Sequence, residues 1–164
     1  MNHQIRECFL AIAASAILTS CSEESKLRDA IPGIWSMATF DGSRDALRCF
    51  RGNLFFFRDQ YVDLPIASGN CDFGEYRADD ARGSWSIRIA EDGLYHMSVE
   101  SANTVFSGDY VIQFESDTTR QELWLLLVSQ DVEFVLQKGL IDMSSRQIER
   151  LVNATSNIGT LLSE

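Results

Sequence analysis

Few residues in this sequence are of types that carry out chemistry, and their spacing narrows the options further. His96 has no second histidine near it, and no Cys-x-x-Cys is present to complete a zinc site. No serine sits in a Gly-x-Ser-x-Gly elbow, so His96 also lacks a recognisable nucleophile and reads as an exposed histidine on a strand face. Asp79-Asp80 and Glu91-Asp92 are acid pairs without the alternating Asp/Asn spacing of a calcium loop, and read as solvated turn residues. No glycine loop of the phosphate-cradling type occurs. No catalytic residue, metal or cofactor is therefore expected, and an enzyme is not the expected reading.

Apolar and aromatic side chains in regular alternation are what the chain does offer. Trp85, Met97, Tyr110, Ile112 and Phe114 alternate with Ser84, Ser86, Ser98, Asp109 and Gln113, which puts the apolar set on one sheet face. These five are the candidate ligand-binding residues, on the expectation that they line a cup for a small apolar molecule. The competing expectation is that they fill a core.

The elements that hold them follow from the same period of two, broken by turn residues every eight to twelve positions. Strands are predicted over 34–40, 53–57, 61–66, 83–89, 94–99, 108–115, 122–128 and 132–138, with a loop over 67–80. About eight short strands in succession indicate a mainly-β domain, either an up-and-down barrel or a sandwich. After Gly139 the period lengthens. Ile148, Leu151, Val152, Thr155, Ile158 and Leu162 form a helical stripe, and Ser144 with Gln147 fits a capping box. Leu54–Phe57 and Leu123–Val128 are apolar on both faces, so the helix is expected on the outer wall above them. The domain boundaries read from these patterns are 1–20, 21–30, 31–141 for the β-domain and 142–164 for the helix.

The formal net charge of −10 lacks the basic footprint that nucleic acid requires. It is equally unsuited to holding an anionic lipid surface by charge.

Near the N-terminus, Cys8–Leu18 is an apolar run of about eleven residues, too short to span a bilayer but suited to a secretory signal. Leu18-Thr19-Ser20-Cys21, which follows, resembles the lipobox of bacterial lipoproteins. That resemblance implies cleavage before Cys21, lipidation of its sulfur and membrane attachment through the acyl chains. Ser22 in the next position implies the outer membrane, and Ser22-Glu23-Glu24 resembles a tag for outward display, so the exported protein faces the periplasm or the cell surface. With Cys8 removed and Cys21 lipidated, Cys49 and Cys71 remain, and in an oxidising compartment they are expected to pair. Two separate thiols are the alternative.

Gly33-Ile34-Trp35 at the start of the first strand, with a helix after the last, resembles the lipocalin family in its compact bacterial form. Gly33 and Trp35 match the Gly-x-Trp signature, and Asp109 and Tyr110 match a Thr-Asp-Tyr signature from which Gly108 departs. The family's arginine that packs on the tryptophan has no good match; Lys138 is the nearest substitute. The resemblance implies an eight-stranded antiparallel barrel with the helix packed outside. It also implies a small apolar ligand or lipid as partner. The alternative is a filled barrel that binds another envelope component, with the protein partners unspecified.

Overall fold

In the computed structural model the described residues are 25, 27–117, 119–139, 149, 151–153 and 155. The signal, Cys21 and the tether through residue 24 lie outside them, as do Ser144, Gln147, Ile148, Ile158 and Leu162.

Turn chemistry and alternation together produce eight strands: β1 (Gly33–Phe40), β2 (Leu54–Phe57), β3 (Tyr61–Asp63), β4 (Arg82–Ile89), β5 (Tyr95–Ser101), β6 (Gly108–Asp117), β7 (Glu122–Val128) and β8 (Glu133–Gly139). Each pairs antiparallel with its successor, and β8 returns to β1, closing an eight-stranded up-and-down barrel. Closure removes the exposed sheet edge that a sandwich would leave. The β4–β5 turn illustrates the local logic: Gly93 takes a φ of 78°, and the Asp92 carboxylate accepts the Leu94 N–H at 2.8 Å.

Alternation sends one residue in two inward. β4 and β5 bury Trp85, Ile87, Tyr95, Met97 and Val99, while β6 and β7 bury Tyr110, Ile112, Phe114, Leu123, Leu125 and Leu127. In β1 the phase changes. A bulge between Met37 and Thr39 adds Ala38, so the inward series runs Trp35, Met37, Phe40.

The two ends of the barrel differ. One carries the start of β1 and the short turns after β2, β4 and β6; the other carries the long connections over 41–53 and 64–81 and the turns over 102–107 and 129–132. A disulfide joins Cys49, the last residue of a 3₁₀ turn over Asp45–Cys49, to Cys71 in the second long connection. Its 22-residue separation corresponds to about 3 kcal/mol in the chain-entropy account. Buried Asn103 adds a second clasp, donating through Nδ2 to the carbonyls of Pro65 at 3.0 Å and Asp80 at 2.9 Å.

One sequence expectation is corrected, and one element is new. The third strand ends at Asp63 and does not reach residue 66, because Pro65 has no N–H to offer a ladder; only Leu64 still donates, to the Ala81 carbonyl at 2.6 Å. The 3₁₀ turn was not predicted at all. The C-terminal helix is described only in part. Among the described residues Glu149, Leu151–Asn153 and Thr155 are helical, with Leu151 and Thr155 buried. Pairing of β5 with β6 ends at His96 and Val111, so β6 runs on beyond its neighbour. Thr155 Oγ1 accepts the Phe114 N–H at 2.8 Å there, in place of a strand carbonyl. The described part of the helix thus meets the barrel wall at β6, and Leu54 on β2 is 43% exposed.

Candidate functional site

The five residues read as lining a cup all point into the barrel, and all are buried. The space around them is occupied by rings. Phe55 lies 5.1 Å from Phe106 and 5.6 Å from Phe134, and Tyr110 lies 5.2 Å from Phe134, between ring centroids. Phe57 meets Trp85 edge-on at 5.5 Å, and Trp35 lies 6.3 Å from Phe114. These spacings are those of packed aromatic pairs, and they run through the centre of the barrel.

The signature residues occupy opposite ends. At the short-turn end Trp35 is fully buried and donates from Nε1 to the Ile31 carbonyl at 2.7 Å. Lys138 covers it, with Nζ 4.6 Å from the ring centroid and donating to the Ala30 carbonyl at 2.6 Å. Burial pushes the Lys138 ammonium below its usual range, which the aromatic face and the carbonyl oppose. At the loop end Tyr110 folds back over Gly108, where a Cβ would stand 3.2 Å from the phenol ring. The departure from Thr at this position is therefore matched by the ring that occupies its place. Burial raises the Tyr110 phenol above its usual range, and its hydroxyl has no hydrogen-bond partner among the described residues.

An open groove lies at the loop end, outside the packed interior, with a volume of about 790 Å³. That falls within the roughly 300–1,000 Å³ of small-molecule sites. Its apolar lining comes from Phe40, Phe73, Tyr76, Val105, Val111, Val128 and Val132. The polar lining includes Asp41, His96, Asp109 and Asp131. Packing on the disulfide-linked connections sets the aromatic wall, since Phe50 stacks on Phe73 at 5.4 Å and meets Phe40 at 5.2 Å. None of Trp85, Met97, Tyr110, Ile112 and Phe114 lines this groove.

His96 departs from the exposed histidine read in the sequence. Its side chain is 14% exposed and lies between two carboxylates, with Nδ1 2.8 Å from Asp109 Oδ2 and Nε2 3.2 Å from Asp92 Oδ2. Carboxylate oxygens only accept, so both contacts are hydrogen bonds only for a ring carrying both protons. Asp109 also accepts from Arg88 at 2.7 Å and from Ser98 Oγ at 2.7 Å. Partial burial pushes the Asp109 carboxyl up, but the Ser98 and His96 hydrogen bonds and the Arg88 charge outweigh this and hold it below the usual range. The Leu94 N–H, with His96, does the same for Asp92. Ser98, His96 and Asp109 are gathered on one outer face. Ser98 and His96 each bond to Asp109 and not to one another, so the arrangement lacks the base–nucleophile contact of hydrolytic triads.

No protein-family model matches the chain, and no curated protein matches it. A structural comparison finds likeness to a crystal structure of lobster apocrustacyanin A1, at 12% identity and a TM-score of 0.37. The likeness covers 85% of this chain and 77% of that one.

Sequence reasoning missed most groove residues. They stand in connections and at strand ends, where no period identifies an inward face. The aromatic residues Phe73 and Tyr76 inside an otherwise polar loop were the available signal.

Proposed function

We propose that this chain is a lipid-anchored envelope protein that binds a small apolar ligand, and that the ligand sits in the loop-end groove and not in the barrel centre. The observation that carries the reading is the pairing of a ring-filled interior with an apolar, aromatic-walled groove of about 790 Å³. Side chains packed at van der Waals distance leave a ligand nothing to fill, whereas the groove offers unpaired apolar area with polar groups at its margin. Support for the anchor comes from the lipobox-like Leu18–Cys21 and the apolar run before it. Among the described residues no helix is long and apolar enough to cross a membrane, so acyl chains on Cys21 would supply attachment in this reading.

Fluorescence titration with N-phenyl-1-naphthylamine tests the binding half. Saturable binding at one site per chain is expected, with loss in Val128→Trp, which fills the groove. Binding that Val128→Trp leaves intact would reject the groove as the seat. Detergent phase partitioning tests the anchor: Cys21→Ser is expected in the aqueous phase, and a variant that partitions like wild type would reject lipidation.

A second reading is favoured by one observation. Ile34 and Leu54 are 56% and 43% exposed on the outer wall of the paired β1 and β2, an apolar surface suited to contact with another envelope component.

A further inference from the structure

The groove's charge is one-sided. Three carboxylates line it, from Asp41, Asp109 and Asp131, and no lysine or arginine does. Asp109 is already matched by Arg88 at 2.7 Å and by His96. Arg77, from the same connection as Phe73 and Tyr76, is held by Asp79 at 3.2 Å. Among the described residues no ion pair reaches Asp41 or Asp131.

Both line the groove from neighbouring connections at the loop end. The Asp41 N–H donates to the Glu133 carbonyl at 2.7 Å, and its carboxylate accepts the Glu133 N–H at 3.3 Å. That contact fixes Asp41 beside the turn that carries Asp131. The rings of Phe40, Phe73 and Tyr76 line the same groove, the last 54% exposed. Ring faces and unmatched carboxylates attract the same kind of group, a positive charge on an apolar frame.

We infer that the groove selects amphipathic cations, molecules with an apolar or aromatic body and an amine, over neutral or anionic molecules of the same shape. The inference rests on the groove being the ligand seat, and it adds the charge of the ligand. The amine would lie at Asp41 and Asp131, with the body on the groove's apolar lining.

Three dansyl probes of common size test it: dansylcadaverine as the cation, N-hexyl dansylamide as the neutral form and dansyl-6-aminohexanoic acid as the anion. The purified full chain is titrated with each at low ionic strength. The cation is expected to bind about tenfold more tightly than the neutral probe, and the anion more weakly still. Asp41→Asn with Asp131→Asn keeps side-chain shape at exposed positions and is expected to bring the cation to the neutral probe's affinity at an unchanged melting temperature. Added salt is expected to shrink the cation's advantage in wild type. Equal binding of all three probes, unaltered by the Asn pair, would overturn the charge inference and leave the groove as a binding site. Failure of all three probes to bind would overturn the groove reading as well.

Discussion

Lys138 lies over the indole of Trp35, with Nζ 4.6 Å from the ring centroid and 2.6 Å from the Ala30 carbonyl it donates to. The lysine joins the last strand, the first strand and the segment before it in one contact. An ammonium at this position is opposed by burial and supported by a ring face and a carbonyl. Lys138→Met is expected to lower stability by about 1 kcal/mol, while Lys138→Arg keeps both contacts and loses little. Urea unfolding midpoints at constant slope check both. Equal losses in the two variants would show that side-chain shape, and not the cation, matters.

Gly108 and Tyr110 form the matching pair at the other end. A Thr at Gly108 would meet the Tyr110 ring and hydroxyl at 3.2–3.4 Å, so Gly108→Thr is expected to destabilise by about 1–3 kcal/mol through overpacking. Tyr110→Phe removes a buried hydroxyl that has no partner among the described residues and is expected to be neutral or stabilising by about 1 kcal/mol. Thermal melts of the two variants and their combination measure this. A stabilising Gly108→Thr would contradict the packing described.

The same pair shows what a sequence reveals and what it withholds. Tyr110, Ile112 and Phe114 were readable as inward because they share one face of a period-two stretch whose other face carries Asp109, Gln113 and Glu115. The packed state of the interior was not readable, since alternation gives a side chain's direction and not the distance to the ring opposite. Phe40 was hidden by the extra residue at Ala38, which shifts the phase of β1. The stripe of Leu151 and Thr155 told which helical face is covered but not by what, and the free flank of β6 emerges only from unequal strand lengths. Asp41, Phe73, Tyr76 and Asp131 meet in the groove from segments far apart in the chain, so no local pattern unites them.

Thr155 satisfies the Phe114 N–H where β5 no longer reaches. Thr155→Val keeps the shape and leaves that buried donor unpaired, an expected loss of about 1–3 kcal/mol. Thr155→Ser retains the hydroxyl and most of the stability. Amide hydrogen exchange at Phe114 gives the local readout: faster in the Val variant than in the Ser variant. Equal protection in the two would separate the helix from this role.

The carboxyls around His96 make stability depend on acid. Asp109 and Asp92 are held below their ordinary value of 3.8 in the folded protein, so the unfolded chain takes up their protons first as pH falls. Their contribution is full above that value and is lost as pH drops through the lower folded values. Asp109→Asn is expected to be less stable than wild type at pH 7, with the two converging in acid. Urea midpoints from pH 7 to pH 3 that stay parallel would contradict the coupling.

Methyl NMR locates the ligand seat most directly. The chain, labelled at Ile, Leu and Val methyls, is titrated with N-phenyl-1-naphthylamine. Shifts are expected at Val105, Val111, Val128 and Val132, which line the groove, and not at Ile87, Ile112, Leu125 or Leu136 inside the barrel. Saturating shifts concentrated at the interior methyls, with the groove valines unmoved, would contradict the assignment and return the ligand to the barrel centre.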